Sequence, residues 1–301
     1  MSISRRKMLK LSAGATALWV AAAELPGLAV AAVRRRRAAL TATLAAVQAK
    51  IPIGLELWSV RAQAEKELPT VLAAVARMGF QAVELAHKTY GYDAPAWRRL
   101  LDENGLKSCG MHMGLPALEG DELQKTVEFH TVLGTPYLII ASVPEKNRAS
   151  LQAIRETCKR FNTISDQLKR HGMKLGYHCH GGDFAKIDGD KTPWELIGEN
   201  TNFDVIMQLD IGNCMGGGAD PITMLKKFPG RSLTIHVKHN GGKPGTVVGD
   251  EGDEVKWREV FQICETTGGI KQYVVEEEGR KGPDALEAVN RALKNLRKMG
   301  K

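Results

Sequence analysis

The chain has 301 residues, of which 43% are hydrophobic and 25% are charged, a composition typical of a globular protein with one barrel domain or two smaller domains. The formal net charge of +8 comes from residues 1–50, which contain nine Lys and Arg residues and one acid, so residues 51–301 contain 33 basic and 33 acidic residues. This neutral body argues against a nucleic-acid-binding function, which needs a basic surface that contacts phosphates.

The first 31 residues have the pattern of a twin-arginine export signal. The pair Arg5-Arg6 is followed by an apolar stretch at 11–23 and by Ala29-Val-Ala31, a cleavage site of the A-x-A type. Because the apolar stretch is short and rich in Ala, we expect no stable membrane span after cleavage. We therefore predict a signal peptide at 1–31, a basic Ala-rich linker at 32–50 and a periplasmic or otherwise exported protein. The alternative is an uncleaved amphipathic arm.

From Ile51 onward, short apolar runs alternate with amphipathic segments. The predicted strands are Ile53–Leu57, Ala82–Leu85, Leu106–Met113, Tyr137–Ala141, Lys174–His178, Val205–Asp210, Leu233–Val237 and Gln272–Glu276. The predicted helices are Leu68–Met78, Ala94–Glu103, Asp121–Leu133, Arg148–Arg170, Pro193–Ile197, Pro221–Phe228, Trp257–Thr267 and Pro283–Lys298. Eight strand–helix units in about 250 residues predict an α/β fold, a (β/α)8 TIM barrel, over residues 51–301. A doubly wound dinucleotide-binding sheet is disfavoured, because no GxGxxG motif follows the first strand.

Four residues of metal-ligand type stand at or next to the C-terminal ends of four successive predicted strands. They are His178, Asp210, His236 and Glu276. In a TIM barrel these strand ends converge on one mouth, where the active site is built. Two imidazoles and two carboxylates there predict one divalent metal ion, either Mn²⁺, Co²⁺, Zn²⁺, Fe²⁺ or, less well, Mg²⁺. The alternative is that the two carboxylates cap helices or form salt bridges, and Glu278 competes with Glu276 because alternate strand residues face the same way.

Five further residues are candidates for the same mouth. Glu84 ends the second predicted strand and His112 lies near the end of the third, and both are candidate acid/base residues. Lys238 is a candidate for catalysis and for substrate binding, because an ammonium group can stabilise an enediolate oxygen. Trp58 and His180 are candidate substrate-binding residues. The alternatives are polar loop contacts for Glu84 and His112, a rim aromatic for Trp58, and a ligand or ligand-orienting role for His180.

Four motifs occur in an order that points to a known family. They are Gly54-Leu-Glu-Leu-Trp-Ser-Val-Arg61, Tyr177-His-Cys-His180 with Asp183-Phe184, Gly217-Gly-Ala-Asp-Pro221 and His236-Val-Lys238. Together they resemble the sugar phosphate isomerase/epimerase family of the xylose-isomerase-like TIM barrel superfamily, over about Ile51 to Lys301. The resemblance implies a metal-dependent enzyme with a small sugar or keto-sugar substrate. The family takes its metal ligands from strands five to eight as Glu, Asp, His and Glu, and three of these positions are matched by Asp210, His236 and Glu276.

The chain departs from the family pattern at two positions. His178 stands where the family usually has its fifth-strand Glu, as in the branch that has Tyr-His-x-His. In the ketose 3-epimerases of the family, the fifth- and eighth-strand glutamates are the acid/base pair. The resemblance therefore implies an acid/base role for Glu276, but the epimerase mechanism cannot be carried over unchanged. The second departure is His239, where many relatives have Asp or Glu.

The leading hypothesis is a divalent-metal-dependent sugar isomerase or epimerase that removes the proton α to a carbonyl and forms an enediolate. A lyase or hydratase that acts on 3-keto-glycosides is the first alternative, favoured by export and by the missing fifth-strand Glu. A non-catalytic carbohydrate-binding protein is an alternative of another class. An apurinic endonuclease shares the fold, but it needs a multi-zinc cluster and a basic groove. We therefore expect a sugar as the partner and no nucleic acid.

Overall fold

The structure is a computed structural model that describes residues 50–187, 189–278 and 283–301. The predicted signal peptide at 1–31 lies outside the described residues, as does the predicted linker apart from Lys50. Among the helices that are described, none has the length and the apolar composition needed to cross a membrane.

Strands and helices alternate along the described chain. The strands are β1 Ile53–Glu56, β2 Ala82–Ala86, β3 Lys107–Met113, β4 Tyr137–Ile140, β5 Lys174–His178, β6 Ile206–Gln208, β7 Thr234–Val237 and β8 Gln272–Val275. The helices are α1 Arg61–Met78, α2 Ala94–Glu103, α3 Gly120–Leu133, α4 Leu151–Lys169, α5 Pro193–Asn200, α6 Ile211–Gly216, α7 Pro221–Lys227, α8 Trp257–Ile263 and α9 Pro283–Lys298.

The eight strands form one parallel sheet that closes almost completely into a barrel. Their order is β6-β5-β4-β3-β2-β1-β8-β7, and the remaining seam between β6 and β7 is closed by an isolated parallel bridge between Asp210 and His236. At this seam the N–H of His236 donates to the carbonyl oxygen of Leu209 at 2.9 Å. The prediction of a (β/α)8 TIM barrel is therefore confirmed, and two of the predicted metal ligands lie at the closing seam.

The strands are buried on both faces, which is why they appear in the sequence as nearly continuous apolar runs. All residues of β1, β2, β6, β7 and β8 are buried. The polar exceptions concentrate near the C-terminal strand ends and include Glu56, Glu84 and Gln208, which are each at most 1% exposed. Buried polar groups of this kind need partners, and Glu84 and Gln208 are hydrogen-bonded to each other near the barrel mouth.

The first helix is longer than predicted. The sequence indicates a helix over Leu68–Met78, but α1 begins at Arg61 and consists of two segments broken at Glu67, which has φ −155° and ψ 71°. Pro69 stands in the first turn of the second segment, where the missing N–H of proline costs no hydrogen bond. The predicted helix thus corresponds to the second segment.

Helix α6 was not predicted. It follows β6 directly and begins after Asp210, whose Oδ1 accepts a hydrogen bond from the N–H of Asn213 at 2.7 Å. The predicted strand Val205–Asp210 is correspondingly shorter in the structure, where it spans Ile206–Gln208. Asp210 is the N-cap of a short helix, and this turn brings its side chain to the barrel mouth.

Candidate metal centre

The four predicted ligands come together at the C-terminal end of the barrel. His178, Asp210, His236 and Glu276 are each at most 4% exposed, and one ligand atom from each lies within 4.8 Å of the other three. Strand β5 ends at His178 and β7 contains His236, while Glu276 directly follows β8. Because a metal ion is held by ligand atoms that converge on one point, this spacing is compatible with a metal site.

The surroundings of the Asp210 carboxylate indicate whether this group of side chains is suited to a cation. Its Oδ1 caps α6, but its Oδ2 is buried without a hydrogen-bond partner among the described residues. The nearest basic atoms are Lys238 Nζ at 3.7 Å and His236 Nδ1 at 3.9 Å. Burial raises the pKa of Asp210 to about 7, against the opposing effect of Lys238. A buried carboxylate oxygen without a donor is unfavourable, and a divalent cation would satisfy it, so the donor set fits a metal.

His236 lies at the centre of the group because both of its ring nitrogens have carboxylate partners. Its Nδ1 lies 2.5 Å from Glu276 Oε2, and its Nε2 lies 2.6 Å from Glu84 Oε2. Burial disfavours the charged ring, but the two hydrogen bonds outweigh burial and raise the pKa of His236 to about 10. A carboxylate on the far nitrogen of a ligating imidazole holds that ring in place and fixes its proton. In this arrangement Nε2–H would donate to Glu84, and Nδ1 is the nitrogen that could bind a metal.

Lys238 lies beside the carboxylates of this group. Its Nζ is 2.9 Å from Glu278 Oε2, 3.6 Å from Glu276 Oε1 and 3.7 Å from Asp210 Oδ2. Burial opposes the charged amine, but these carboxylates raise the pKa of Lys238 above its usual value. Glu278, the predicted competitor of Glu276, is 45% exposed and does not belong to the ligand group among the described residues.

A second group lies on the other side of His236. Glu56, Glu84, His112 and His236 also offer ligand atoms within 4.8 Å of one another. Both oxygens of Glu84 are already engaged, however, by His236 and by the side-chain amide of Gln208. The four predicted ligands are therefore better able to hold a metal than this second group.

Glu56 and Gln208 were not identified from the sequence. Burial raises the pKa of Glu56 well above its usual value, and the nearby Glu84 and Glu276 reinforce this effect. Neither carboxylate oxygen of Glu56 has a hydrogen-bond partner among the described residues, although His112 Nδ1 lies 3.8 Å from Oε1. The signal that could have found both residues is a polar side chain at the end of an otherwise apolar strand.

The two predicted acid/base candidates lie deep in the barrel. Glu84 is fully buried, which alone would raise its pKa, but the nearby His112 and the hydrogen bond from His236 lower it. His112 is 5% exposed, and burial lowers its pKa to about 4. His112 is therefore neutral and Glu84 is ionised. Both are hydrogen-bonded to other side chains of the site, to Gln208 and His236 respectively, and their burial leaves little access for a substrate.

The two predicted substrate-binding residues at the rim differ in exposure. Trp58 is half-buried in the turn Leu57–Val60 that follows β1, where Arg61 lies 4.1 Å from its ring centroid and His87 packs edge-on at 6.0 Å. His180 is exposed, and its ring centroid lies 5.0 Å from that of His178. The ring centroid of His87 also lies 6.4 Å from that of His112. His87 thus links Trp58 at the rim to the buried His112.

A surface pocket lies beside Glu278, close to the candidate centre. It has a volume of about 590 Å³ and is lined by His239, by residues 241–246 of the loop after β7, and by Glu278. Small-molecule sites commonly have volumes of about 300–1,000 Å³. Because Glu278 contacts Lys238, this cavity adjoins the charged edge of the candidate centre.

Comparisons with known proteins agree with the fold. Inosose dehydratase from Geobacillus kaustophilus is 23% identical over 190 residues, which are 56% of this chain and 60% of that protein's length. A sugar phosphate isomerase/epimerase from Parabacteroides distasonis superposes with a TM-score of 0.72 at 21% identity, over 83% of this chain and 95% of the other. The IolI protein, solved with a bound zinc atom, gives a TM-score of 0.61 at 13% identity, over 83% and 96%.

The two solved structures share the fold of this chain. The family model described as xylose isomerase-like TIM barrel matches residues 72–299, which include every strand except β1. The chain therefore belongs to the xylose isomerase-like TIM barrel family.

Proposed function

We propose that the protein is a divalent-metal-dependent sugar isomerase or epimerase that removes the proton α to a carbonyl. The observation that carries the proposal is the buried group of His178, Asp210, His236 and Glu276, with ligand atoms within 4.8 Å of one another. The unsatisfied Oδ2 of Asp210 supports a cation at this place. The zinc-bound IolI structure and the isomerase/epimerase from Parabacteroides distasonis add support from the same fold.

The proposed reaction needs a Lewis acid, a hydrogen-bond donor to the enediolate oxygen and a group that accepts the proton. A bound divalent ion would supply a Lewis acid for adjacent substrate oxygens. Lys238 Nζ would donate a hydrogen bond to the enediolate oxygen, whose negative charge forms as the proton leaves. Glu276 Oε1 is the acid/base group, since Oε2 lies 2.5 Å from His236 Nδ1, on the side where the metal would bind, while Oε1 lies 3.6 Å from Lys238 Nζ. Burial opposes ionisation of Glu276, but His236 and Lys238 lower its pKa well below its usual value, so the carboxylate is ionised in the metal-free protein.

A lyase or dehydratase is the second candidate function. His178 occupies the fifth-strand position, so a glutamate is missing where the epimerases of the family place their second acid/base group. Loss of water from the β carbon needs one base at the α carbon and one acid at the leaving hydroxyl, and it needs no base on the opposite face. The match to inosose dehydratase favours this reaction, which would proceed through the same enediolate.

Proton NMR in D₂O with a panel of ketoses and 3-keto-glycosides tests the proposal. The metal-loaded protein should place deuterium at the carbon α to the carbonyl, and the product separates an isomer or epimer from an unsaturated lyase product. The Lys238→Met variant should keep its metal and lose exchange by about 10²–10⁴-fold, as expected for a positioned group. Absence of exchange with every substrate, in protein shown to hold metal, would reject the enzyme in favour of a carbohydrate-binding protein.

A further inference from the structure

Gln208 connects the polar groups inside the barrel. It lies at the end of β6 and is fully buried. Its Nε2 lies 3.1 and 3.2 Å from the two carboxylate oxygens of Glu84. Its Oε1 lies 2.7 Å from His112 Nε2 and 3.1 Å from His178 Nδ1. One amide therefore joins a carboxylate to two imidazole rings.

The orientation of this amide follows from the chemistry of Glu84. An ionised carboxylate only accepts hydrogen bonds, so the NH₂ of Gln208 must face it and donate. A flipped amide would place Oε1 against the carboxylate and would leave two donors against the imidazole rings. The carbonyl oxygen of Gln208 consequently faces His112 and His178.

The direction of the amide determines where the imidazole protons lie. A carbonyl oxygen only accepts hydrogen bonds, so each ring nitrogen that faces it must carry the hydrogen. His178 therefore carries its proton on Nδ1, and its Nε2 keeps a free lone pair. His112 carries its proton on Nε2, which also has Glu84 Oε2 as an acceptor at 3.3 Å. A metal ligand must present an unprotonated nitrogen, and the partner of the other nitrogen decides which one that is.

We propose that Gln208 is a positioning residue that fixes the tautomers of His178 and His112. Through this residue Glu84 orients both imidazoles of the metal centre, since it holds His236 directly at 2.6 Å and His178 through the amide. The inference rests on the metal centre of the proposed function, but it is independent of the substrate and of the reaction. It assigns Nε2 of His178 and Nδ1 of His236 as the two metal-binding nitrogens.

Gln272 offers a matched control within the same barrel. It is also a buried glutamine in a strand, 6% exposed and the first residue of β8. Its Nε2 donates to the carbonyl oxygens of Pro52 at 2.9 Å and Tyr273 at 3.0 Å, at the end of the barrel opposite to the metal centre. Replacement of either glutamine by leucine removes a buried amide from a strand, but only Gln208→Leu removes the acceptor for two histidines.

The first arm of the test measures tautomers in the wild-type protein. Nitrogen-15 NMR of the full chain labelled at histidine distinguishes protonated from unprotonated ring nitrogens, and the His178→Gln and His112→Gln variants assign the signals. In metal-free protein near pH 8, His178 should be protonated on Nδ1 and His112 on Nε2. On addition of Zn²⁺, the Nε2 signal of His178 should shift while its Nδ1 proton stays. A His178 ring protonated on Nε2 would overturn the proposal without any variant.

The second arm measures Zn²⁺ affinity by competition with a chromophoric chelator. Gln208→Leu should mix the tautomers of His178 and weaken Zn²⁺ binding by about 10–100-fold, as is typical when the partner of a ligand is lost. Gln272→Leu should leave both readouts at wild-type values. Unchanged tautomers and affinity in Gln208→Leu would overturn the proposal, and if that variant does not fold, the wild-type spectrum still decides. Predicted tautomers and metal binding in a protein that converts no sugar would reject the proposed function alone.

Discussion

Asp210 divides its two carboxylate oxygens between the fold and the metal centre. Oδ1 accepts the N–H of Asn213 and starts α6, whereas Oδ2 is left without a hydrogen-bond partner among the described residues. Asparagine is as good an N-cap as aspartate, so the two functions can be separated by substitution. Asp210→Asn keeps the cap and removes the charge.

We therefore expect Asp210→Asn and Glu276→Gln to lose most of their bound metal while both proteins remain folded. A neutral amide cannot replace the charge of a ligating carboxylate, so the affinity should fall by more than the roughly 10–100-fold that is typical for the partners of ligands. Elemental analysis after dialysis against a weak chelator, with circular dichroism for folding, measures both. Glu278→Gln is the control and should keep its metal, because Glu278 contacts Lys238 from an exposed position. Full metal occupancy in Glu276→Gln would mean that the ligand is a neighbouring residue.

Metal affinity should depend strongly on pH because His236 must give up a proton to bind. Its pKa is about 10 without metal, and the cation displaces that proton from Nδ1. Below pH 10 the apparent affinity should therefore fall about tenfold for each unit of pH decrease. Burial raises the pKa of Asp210 to about 7, so a second proton competes below pH 7 and the slope steepens there.

Calorimetric titration with Mn²⁺ between about pH 6 and pH 8.5 checks this prediction. Repeating each titration in buffers of different ionisation enthalpy counts the protons released. About one proton should leave per metal at pH 8, and between one and two should leave at pH 6. An affinity that does not change across this range would contradict the charged state assigned to His236.

Strand β3 is shaped to leave room for Glu84. The register between β2 and β3 shifts between Val83 and Glu84, where Gly110 stands opposite Glu84. A Cβ atom on Gly110 would lie 2.1 Å from Glu84 Oε1, which is too close for any contact. The glycine is thus required by the carboxylate that holds His236.

Gly110→Ala should accordingly disturb the metal centre from outside it. Overpacking of this kind costs about 1–3 kcal/mol, so the melting temperature should drop, and Zn²⁺ affinity should fall because Glu84 must move. Thermal denaturation and chelator competition give the two values. Gly114→Ala is the matched control, since its Cβ would meet only Pro116 Cδ at 3.6 Å. Equal values for the two variants would show that Glu84 has other space available.

The hydrophobic pattern predicted the strands and most of the helices, because each strand is a short apolar run and each of these helices is an amphipathic segment. The strand Lys174–His178 and the helix Pro283–Lys298 have the bounds that the sequence indicates. Helix α6 was missed because its six residues include Gly212 and Gly216 and show no apolar period. The early start of α1 at Arg61 was missed because Pro69 indicates a helix start of its own.

Contacts across the barrel could not be predicted in the same way. The four metal ligands could be predicted from their positions at strand ends, because the parallel strands of a TIM barrel all end at one mouth. The contact between Glu84 and His236 joins residues 152 positions apart, and the contact between Glu84 and Gln208 joins residues 124 apart. Such pairs depend on strand register and side-chain direction around the closed barrel, which a single sequence does not give.

For the whole molecule, the sequence predicts export through the twin-arginine route. Changing Arg5-Arg6 to Lys-Lys should leave the precursor in the cytoplasm, since a twin-arginine signal requires the arginine pair. Cell fractionation with immunodetection measures the distribution. The same change at Arg34-Arg35, in the predicted linker, is the control and should leave export unchanged. Periplasmic delivery of the Arg5-Arg6 variant would reject this prediction.

We propose that four strand ends of one barrel hold a single divalent metal ion. The most direct measurement is an anomalous difference map from crystals of the chelated protein reloaded with Mn²⁺ or Zn²⁺. We predict one peak, about 2.0–2.3 Å from ligand atoms of the two imidazoles and the two carboxylates, namely His178, Asp210, His236 and Glu276. No peak after reloading, or a peak on the Nε2 side of His236 among Glu56, Glu84 and His112, would contradict this placement of the metal.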